Sequence, residues 1–202
     1  MSLKEKVDIR FLILIAITIL VGIWRILQAT DEISAFANFT PIGAMALFGG
    51  AYFTNKSKAL LFPILTLLFS DLIMMHTVYA KYNDGMLLYS GWYWNYAAFA
   101  LMVVIGFVMI KRVTIKNLVF SSLLAGFAHF IISDFGVWLG GGIDMTTGLP
   151  FTKDLSGLMS CYIHAIPYLK NMIAGNLIYS VILFGGFELA KKRFQVLQST
   201  AL

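Results

Sequence analysis

Residues 94–110, WNYAAFALMVVIGFVMI, decide the fold class, because the last fourteen of them carry no strongly polar side chain. A helix needs about 17–25 mostly apolar residues to cross ~30 Å of lipid hydrocarbon, and this stretch meets that requirement. Working outward, five more apolar stretches flank it, at residues 11–27, 40–53, 59–75, 118–139 and 168–189. The sequence therefore predicts an all-α polytopic membrane protein with six transmembrane helices in a single domain over residues 1–202.

The composition agrees with a membrane protein and excludes most other classes. Apolar residues make up 59% of the chain and charged residues 12%, whereas about 25% of a typical soluble domain is charged. A single cysteine excludes a disulfide framework within one chain and a zinc site of several cysteines. The basic residues behind the net charge of +5 form no stripe, so we expect the lipid bilayer and no nucleic acid as a partner.

The positions of Lys and Arg predict the orientation of the helices. Eleven of the fifteen lie in the N-terminal segment, the loops near 56 and 111, and the C-terminal segment. Loops rich in these residues face the cytoplasm, so we predict cytoplasmic termini. Residues 4–23 also match the basic and apolar regions of a signal peptide. No small-x-small cleavage site follows them, which favours a retained first helix.

Polar residues inside the predicted helices gather in the half of the membrane away from the cytoplasm. At ~1.5 Å per residue, Asp71 and Asp134 lie roughly 18 Å and 24 Å from the cytoplasmic boundary, and Asn176 about 12 Å below the outer one. His129 lies near the midplane. Because intramembrane polar groups need partners or a water-filled cavity, this asymmetry predicts an outward-facing polar pocket. We expect further contacts to a bound solute from Asn38, Thr40, Trp94, Trp138, Tyr162, His164 and Asn171.

Each of these residues also has a purely structural interpretation. Side chains such as Asn176 often only bond neighbouring helices, and a lone histidine such as His129 is often a packing residue. Asp71 and Asp134 would lie in water if the helix ends shifted by one turn.

Small residues on the second predicted helix mark a face that allows close approach. Gly43, Ala46 and Gly50 are spaced by three and four residues. Such a stripe packs against another helix, either within the chain or in a partner membrane protein. We take it as the candidate partner interface, with packing inside the chain as the alternative.

Residues 140–167 are predicted to form an outward-facing lid loop, with the glycines at 140–142 as its hinge. In this loop Cys161 and His164 are three residues apart and would share one face of a helical turn. Such a pair suits a soft or borderline metal. Two ligands do not complete a site, and a free cysteine often acts as a small apolar side chain, so we expect neither a metal nor a cofactor.

Three functions fit these features. The first is a solute-binding protein that captures a small polar or amphipathic molecule from outside. The second is an intramembrane enzyme, a hydrolase or lipid-modifying protein, that uses His129 and Asp134. Because the sequence has no Gly-x-Ser-x-Gly, His-Glu-x-x-His or phosphate-loop motif, we do not expect an enzyme. The third is a membrane assembly subunit in which the polar groups only pack helices.

The sequence resembles a family of bacterial six-span membrane proteins whose activity is not settled. The resemblance covers most of the chain and implies a multi-pass protein of the bacterial inner membrane. It rests on residues 38–44 (NFTPIGA), 46–51 (ALFGGA) and 134–139 (DFGVWL), and on Cys161, Tyr162, residues 165–167 (AIP), Asn171, Gly175 and Asn176.

In size, topology and outward pocket, the chain is also similar to the S components of energy-coupling-factor (ECF) vitamin transporters. This similarity implies a six-helix bundle that captures a vitamin from outside. It would then topple in the membrane when docked on a transmembrane scaffold with two ATPases. Some of these proteins form a cobalamin-specific group in which a cysteine can meet the cobalt, so the similarity makes a cobalamin-type ligand one candidate. The position of Cys161 does not match that cysteine. A small-residue docking face is expected on the first helix of such proteins, whereas here it lies on the second.

Overall fold

The computed structural model describes residues 9–28, 37–53, 55–82, 85–194 and 197. These residues form six α-helices and one 3₁₀ turn (Ala80–Tyr82), and they contain no strand beyond an isolated bridge between Ile143 and Pro150. The prediction of an all-α chain is confirmed. The helices are α1 (Ile9–Gln28), α2 (Ile42–Tyr52), α3 (Lys56–His76), α4 (Trp92–Met109), α5 (Ile115–Leu139) and α6 (Leu155–Arg193).

Four of the helices, α3 to α6, are long and apolar enough to cross a membrane by length and composition. Two shorter apolar helices accompany them, Leu12–Leu27 within α1 and the eleven-residue α2. At ~1.5 Å per residue α2 is about 16 Å long, roughly half of the hydrocarbon thickness. The six-span topology and the cytoplasmic termini therefore stay predictions. Two of the cations behind them, Lys4 and Lys6, lie outside the described residues.

Three helices begin at side-chain caps that the sequence supplies. The side-chain oxygens of Asn55, Thr114 and Asp154 each accept hydrogen bonds from backbone N–H groups in the first turn of α3, α5 and α6. These N–H groups have no partner within their own helix, so each cap stabilises the point at which the helix starts.

The short helix α2 lies at the centre of the bundle. It contacts each of the other five helices, and ten of its eleven residues are buried. A helix that is apolar on every side is suited to such a position, because it has no face that requires water. The remaining helices surround α2, with α5 packed on α4 and α6, and α1 packed mainly on α3.

The small residues of α2 serve packing within the chain. A Cβ atom at Gly50 would collide with the backbone of Val103 in α4, and one at Gly106 would collide with the backbone of Leu47. Gly43 lies against Asn176 of α6, and Ala46 is fully buried. Neighbouring helices of the same chain contact Gly43, Ala46 and Gly50, which is the alternative given above, packing inside the chain.

Helix α6 begins earlier than predicted. The sequence predicts a loop over residues 140–167, but α6 starts at Leu155, so the connection is only residues 140–154. Asp154 caps this start, with its Oδ1 2.8 Å from the backbone nitrogen of Gly157. Pro167, the last residue of the predicted loop, lies inside the helix. A proline is tolerated in a membrane helix where neighbouring groups satisfy the freed carbonyl.

The two ends of the bundle differ in packing. We call the end with the connections 77–91 and 140–154 the loop end, and the opposite one the closed end. At the closed end Phe48, Tyr52, Phe184 and Phe187 form a cluster with ring centroids 4.5–5.4 Å apart. The Tyr52 hydroxyl donates to Glu188 Oε1 at 2.6 Å, which also pairs with Lys191 at 2.9 Å. This end is filled by side chains.

Candidate functional site

A cavity of about 500 Å³ lies at the loop end of the bundle. Four segments contribute to it: the turn before α2, the start of α4 with the loop preceding it, the last turns of α5, and the glycines that follow α5. The lining residues are Asn38, Tyr89, Ser90, Gly91, Tyr93, Trp94, Asn95, His129, Ser133, Asp134, Gly136, Val137, Gly140, Gly141 and Gly142.

One wall of the cavity is a chain of hydrogen bonds that joins α4 to α5. His129 Nε2 donates to Asn95 Oδ1 at 2.7 Å, and Asn95 Nδ2 donates to the Tyr89 hydroxyl at 2.6 Å. The His129 ring also packs edge-on against Phe99, with centroids 4.9 Å apart. Since the amide is bonded at both ends, the imidazole and the phenol are held in fixed positions, and the Tyr89 hydrogen stays free to donate into the cavity.

Ser133 and Asp134 continue this wall one turn along α5. The Ser133 hydroxyl lies 2.8 Å from its own helix's carbonyl at His129, but 3.4 Å from His129 Nδ1 and 3.5 Å from Asp134 Oδ2. The serine proton therefore goes to the backbone. Ser133 is therefore not an activated nucleophile for the pair of His129 and Asp134, and these described side chains are arranged as hydrogen-bonding groups.

Trp94 forms the aromatic wall. A Cβ atom at Gly136 would collide with the indole, so the absence of a side chain there lets the ring lie directly on α5. Phe135 packs against the other edge of the indole, with centroids 5.6 Å apart in an edge-to-face arrangement. These contacts fix the ring plane at the cavity before any solute arrives.

The glycines at the end of α5 form the rim. Gly141 has a φ of 83°, a left-handed conformation that favours glycine, and the chain turns there without a side chain to fill the opening. The Lys153 ammonium donates to the carbonyl oxygens of Trp138 and Leu139, and the Trp138 indole N–H donates to Thr152 O at 2.8 Å. The 140–154 connection is thus held against the end of α5.

Asp144 holds the same connection to α6. Its carboxylate accepts from Ser160 Oγ at 3.0 Å and lies 3.6 Å from His164 Nε2. The hydroxyl and backbone N–H of Thr146 also donate to this group and keep the pKa of Asp144 below its ordinary value. The connection is a folded structure that covers the start of α6.

A buried ion pair lies beside the cavity wall. Arg25 of α1 contacts Asp71 of α3 at 2.6 Å and donates to Ser70 Oγ at 2.6 Å, and Tyr96 of α4 donates to Asp71 at 3.1 Å. Burial, together with the negative charge of Asp71, raises the pKa of Tyr89, so this phenol stays protonated. The ion pair and the hydrogen bond from Tyr96 together join α1, α3 and α4, and Arg25 neutralises the charge of Asp71.

The structure brings four of the predicted binding residues together on the cavity: Asn38, Trp94, His129 and Asp134. The other seven do not line this cavity, and a role for them in binding stays a prediction. Each of the seven has a partner away from the cavity. Asp71 pairs with Arg25, Trp138 bonds Thr152, Tyr162 bonds Ile131 O, His164 lies beside Asp144, Asn171 bonds Ala37 O, Asn176 bonds Ser122 O, and Thr40 packs its backbone on Gly175.

Cys161 and His164 do not form a pair of ligands. The Cys161 thiol is buried and lies 3.4 Å from Asp134 O, whereas His164 lies beside Asp144 and Ser160. Within the described part of the chain, no group of three His, Cys, Asp or Glu residues is close enough to hold a metal ion.

Two central residues of the wall, Tyr89 and Asn95, are not among the predicted binding residues. Tyr89 is one of several aromatic residues near the start of α4, and Asn95 is hidden in the run Trp94–Tyr96. The signal that would have found Asn95 is its position, since an amide in the first turn of an otherwise apolar helix needs a polar partner on the next helix.

Comparison with known proteins places the chain in a family. A model described as a family of unknown function (DUF6580) matches residues 5–197, which is nearly the whole sequence. No curated protein and no solved structure matches the chain. On this match, the all-helical protein described above belongs to the DUF6580 family.

Proposed function

We propose that this chain is an integral membrane protein that binds a small polar or amphipathic solute in the cavity at its loop end. The observation that carries the proposal is the cavity itself, about 500 Å³ with polar side chains from separate elements converging on it. Small-molecule sites commonly measure roughly 300–1,000 Å³ and combine aromatic walls with a few fixed polar groups. Trp94, Asn95, His129 and Asp134 supply that combination.

The difference between the two ends supports uptake from one side. The loop end contains the cavity, while the closed end is filled by the cluster around Phe48 and Tyr52. In our proposal the solute is released toward the closed end only when the helices around this aromatic cluster move. In our proposal the loop end faces outward and both termini lie in the cytoplasm of a bacterium.

The charges of the described loops support this orientation. Lys56, Lys58, Lys111, Arg112 and Lys191 lie toward the closed end. At the loop end Arg25 is neutralised by Asp71, and Lys153 is bonded to carbonyl oxygens of α5. The excess of basic side chains at the closed end is what the positive-inside rule requires of a cytoplasmic face.

Within this proposal, the chain is the substrate-capture subunit of a vitamin-type uptake system, similar to an ECF S component. The supporting features are six helices, a solute cavity toward one end and a closed opposite end. Since the sequence has no phosphate-binding loop, an energy source would come from a scaffold with ATPase subunits. Reconstitution in vesicles with and without such a scaffold would test whether the chain works as a capture subunit that needs a scaffold.

Mass spectrometry of small molecules that co-purify with the full chain tests the proposal. We expect one solute in stoichiometric amount from the wild type and its loss from Ser133→Leu. The leucine would fill part of the cavity, and the shortest hydrogen bond that it removes runs to the backbone of the same helix. The matched control is Ser156→Leu, on the exposed first turn of α6, which should retain the solute.

Two outcomes would overturn the proposal. Repeated preparations of folded wild-type protein that carry no solute would favour an assembly subunit, in which polar groups only pack helices. A solute retained equally by Ser133→Leu would mean that it binds outside this cavity.

A further inference from the structure

The charge balance of the cavity narrows the class of solute, provided that the proposed function holds. Asp134 is the one carboxylate among the described residues that line the cavity, and none of them is lysine or arginine. Two cations of the loop end have other partners, since Arg25 pairs with Asp71 and Lys153 donates to the carbonyls at the end of α5. The described wall therefore presents a negative charge with no cation of its own.

The Asp134 carboxylate has unused hydrogen-bonding capacity. Its contact with a side-chain donor among the described residues is the one from Ser133 Oγ, which is long at 3.5 Å. The Ser133 proton is better placed on the His129 carbonyl at 2.8 Å. An ionised carboxylate accepts about four hydrogen bonds, so most of its sites are open to donors from a solute.

The other groups of the wall do not supply a compensating positive charge. His129 is buried, and its ring nitrogens face Asn95 and Ser133, with no carboxylate bonded to the ring. A buried imidazolium without a counter-ion is costly, so the ring is neutral. The helix ends also offset each other, because α4 begins and α5 ends at the cavity.

The aromatic wall favours a planar and cationic solute. Contacts with Gly136 and Phe135 hold the Trp94 ring in place. The ring lines the cavity together with Tyr93, whose ring centroid lies 5.8 Å from that of Trp94. Indole is the strongest of the aromatic side chains in attracting a cation over its face. The Tyr89 hydroxyl, which accepts from Asn95, has a hydrogen to donate to an acceptor atom of the same solute.

We infer that the cavity takes a planar, positively charged solute with N–H donors, of the amidinium or protonated aminoheterocycle class. Its N–H groups would bond the carboxylate of Asp134, and its ring would lie on Trp94. A carboxylate or phosphate solute would be repelled by the same wall.

The test uses three probes of nearly equal shape and different charge: benzamidine as its cation, neutral benzamide, and benzoate. Binding of each to the purified full chain is measured by ligand-observed NMR and by the shift in Tm. We expect benzamidinium to bind best. In Asp134→Asn its affinity should fall about tenfold or more, because a charged hydrogen bond is lost. Glu188→Gln, which removes a carboxylate at the closed end, should leave its affinity unchanged.

The outcomes separate this inference from the proposed function. Three results would overturn the inference. Benzamide or benzoate could bind as tightly as benzamidinium or tighter, benzamidinium binding could survive Asp134→Asn, or none of the three probes could bind. The co-purification experiment with Ser133→Leu would still decide the proposed function separately. Since the order of the three probes is measured on the wild type, the result does not depend on the folding of a variant.

Discussion

His129 Nε2 lies 2.7 Å from Asn95 Oδ1, so that one hydrogen bond joins α5 to α4 at the wall of the cavity. We predict that Asn95→Leu lowers the free energy of unfolding by about 1–3 kcal/mol, since it leaves the buried His129 N–H without an acceptor. Denaturant unfolding of the purified protein measures this effect. The double variant Asn95→Leu/His129→Phe should recover part of the loss, because both polar partners are then gone. Equal or greater loss in the double variant would contradict this role of the bond.

The Arg25–Asp71 ion pair should show strong coupling. Arg25→Met alone or Asp71→Leu alone leaves a buried charge unpaired, and each is expected to cost about 3 kcal/mol or more. The double variant Arg25→Met/Asp71→Leu should be markedly more stable than the sum of the two losses implies. A double-mutant cycle on unfolding free energies measures the coupling, and additive losses would show that the two charges are separately solvated.

The crossing of α2 and α4 should tolerate no added methyl group. Gly106→Ala places a Cβ against the backbone of Leu47, and we expect a loss of about 1–3 kcal/mol in unfolding free energy. Gly186→Ala in α6 is the matched control, because nothing lies within 4 Å of the added Cβ. There the change should stabilise the helix by up to about 1 kcal/mol. Similar effects at both positions would contradict the close crossing.

Acid should loosen the 140–154 connection. Thr146 and Ser160 hold the pKa of Asp144 below its ordinary value of 3.8, so the carboxylate stabilises the folded connection at pH values above 3.8. This contribution is lost as the pH falls through 3.8 toward the lower pKa of the folded state. Hydrogen exchange, corrected for its intrinsic pH dependence, should therefore rise over residues 143–160 in acid. Asp144→Asn should lack this component, and an identical acid response in that variant would contradict the assignment.

Hydropathy was sufficient to predict an all-helical chain, because apolar stretches of this length form few structures other than helices. It did not predict that α6 begins at Leu155. Residues 155–167 include Ser156, Gly157, His164 and Pro167, which resemble a loop when read alone. Their helical state depends on the Asp154 cap and on contacts with α5 that join residues far apart in the chain.

The sequence identifies Asp71 and Asp134 as intramembrane polar residues, but it does not identify their partners. The two have the same chemistry and similar predicted depth, yet one pairs with Arg25 and the other faces the cavity. The small residues of α2 illustrate the same limit, since spacing predicts close approach of a helix without identifying which helix approaches.

An experimental structure of the full chain with its co-purified solute is the most direct test of the central claim. We predict solute density in the cavity, over the Trp94 ring and within hydrogen-bonding distance of the Asp134 carboxylate. Density for the solute elsewhere, for example in the apolar groove that Trp24 and Leu183 line between α1 and α6, would contradict it. An unoccupied cavity in a sample saturated with that solute would contradict it as well.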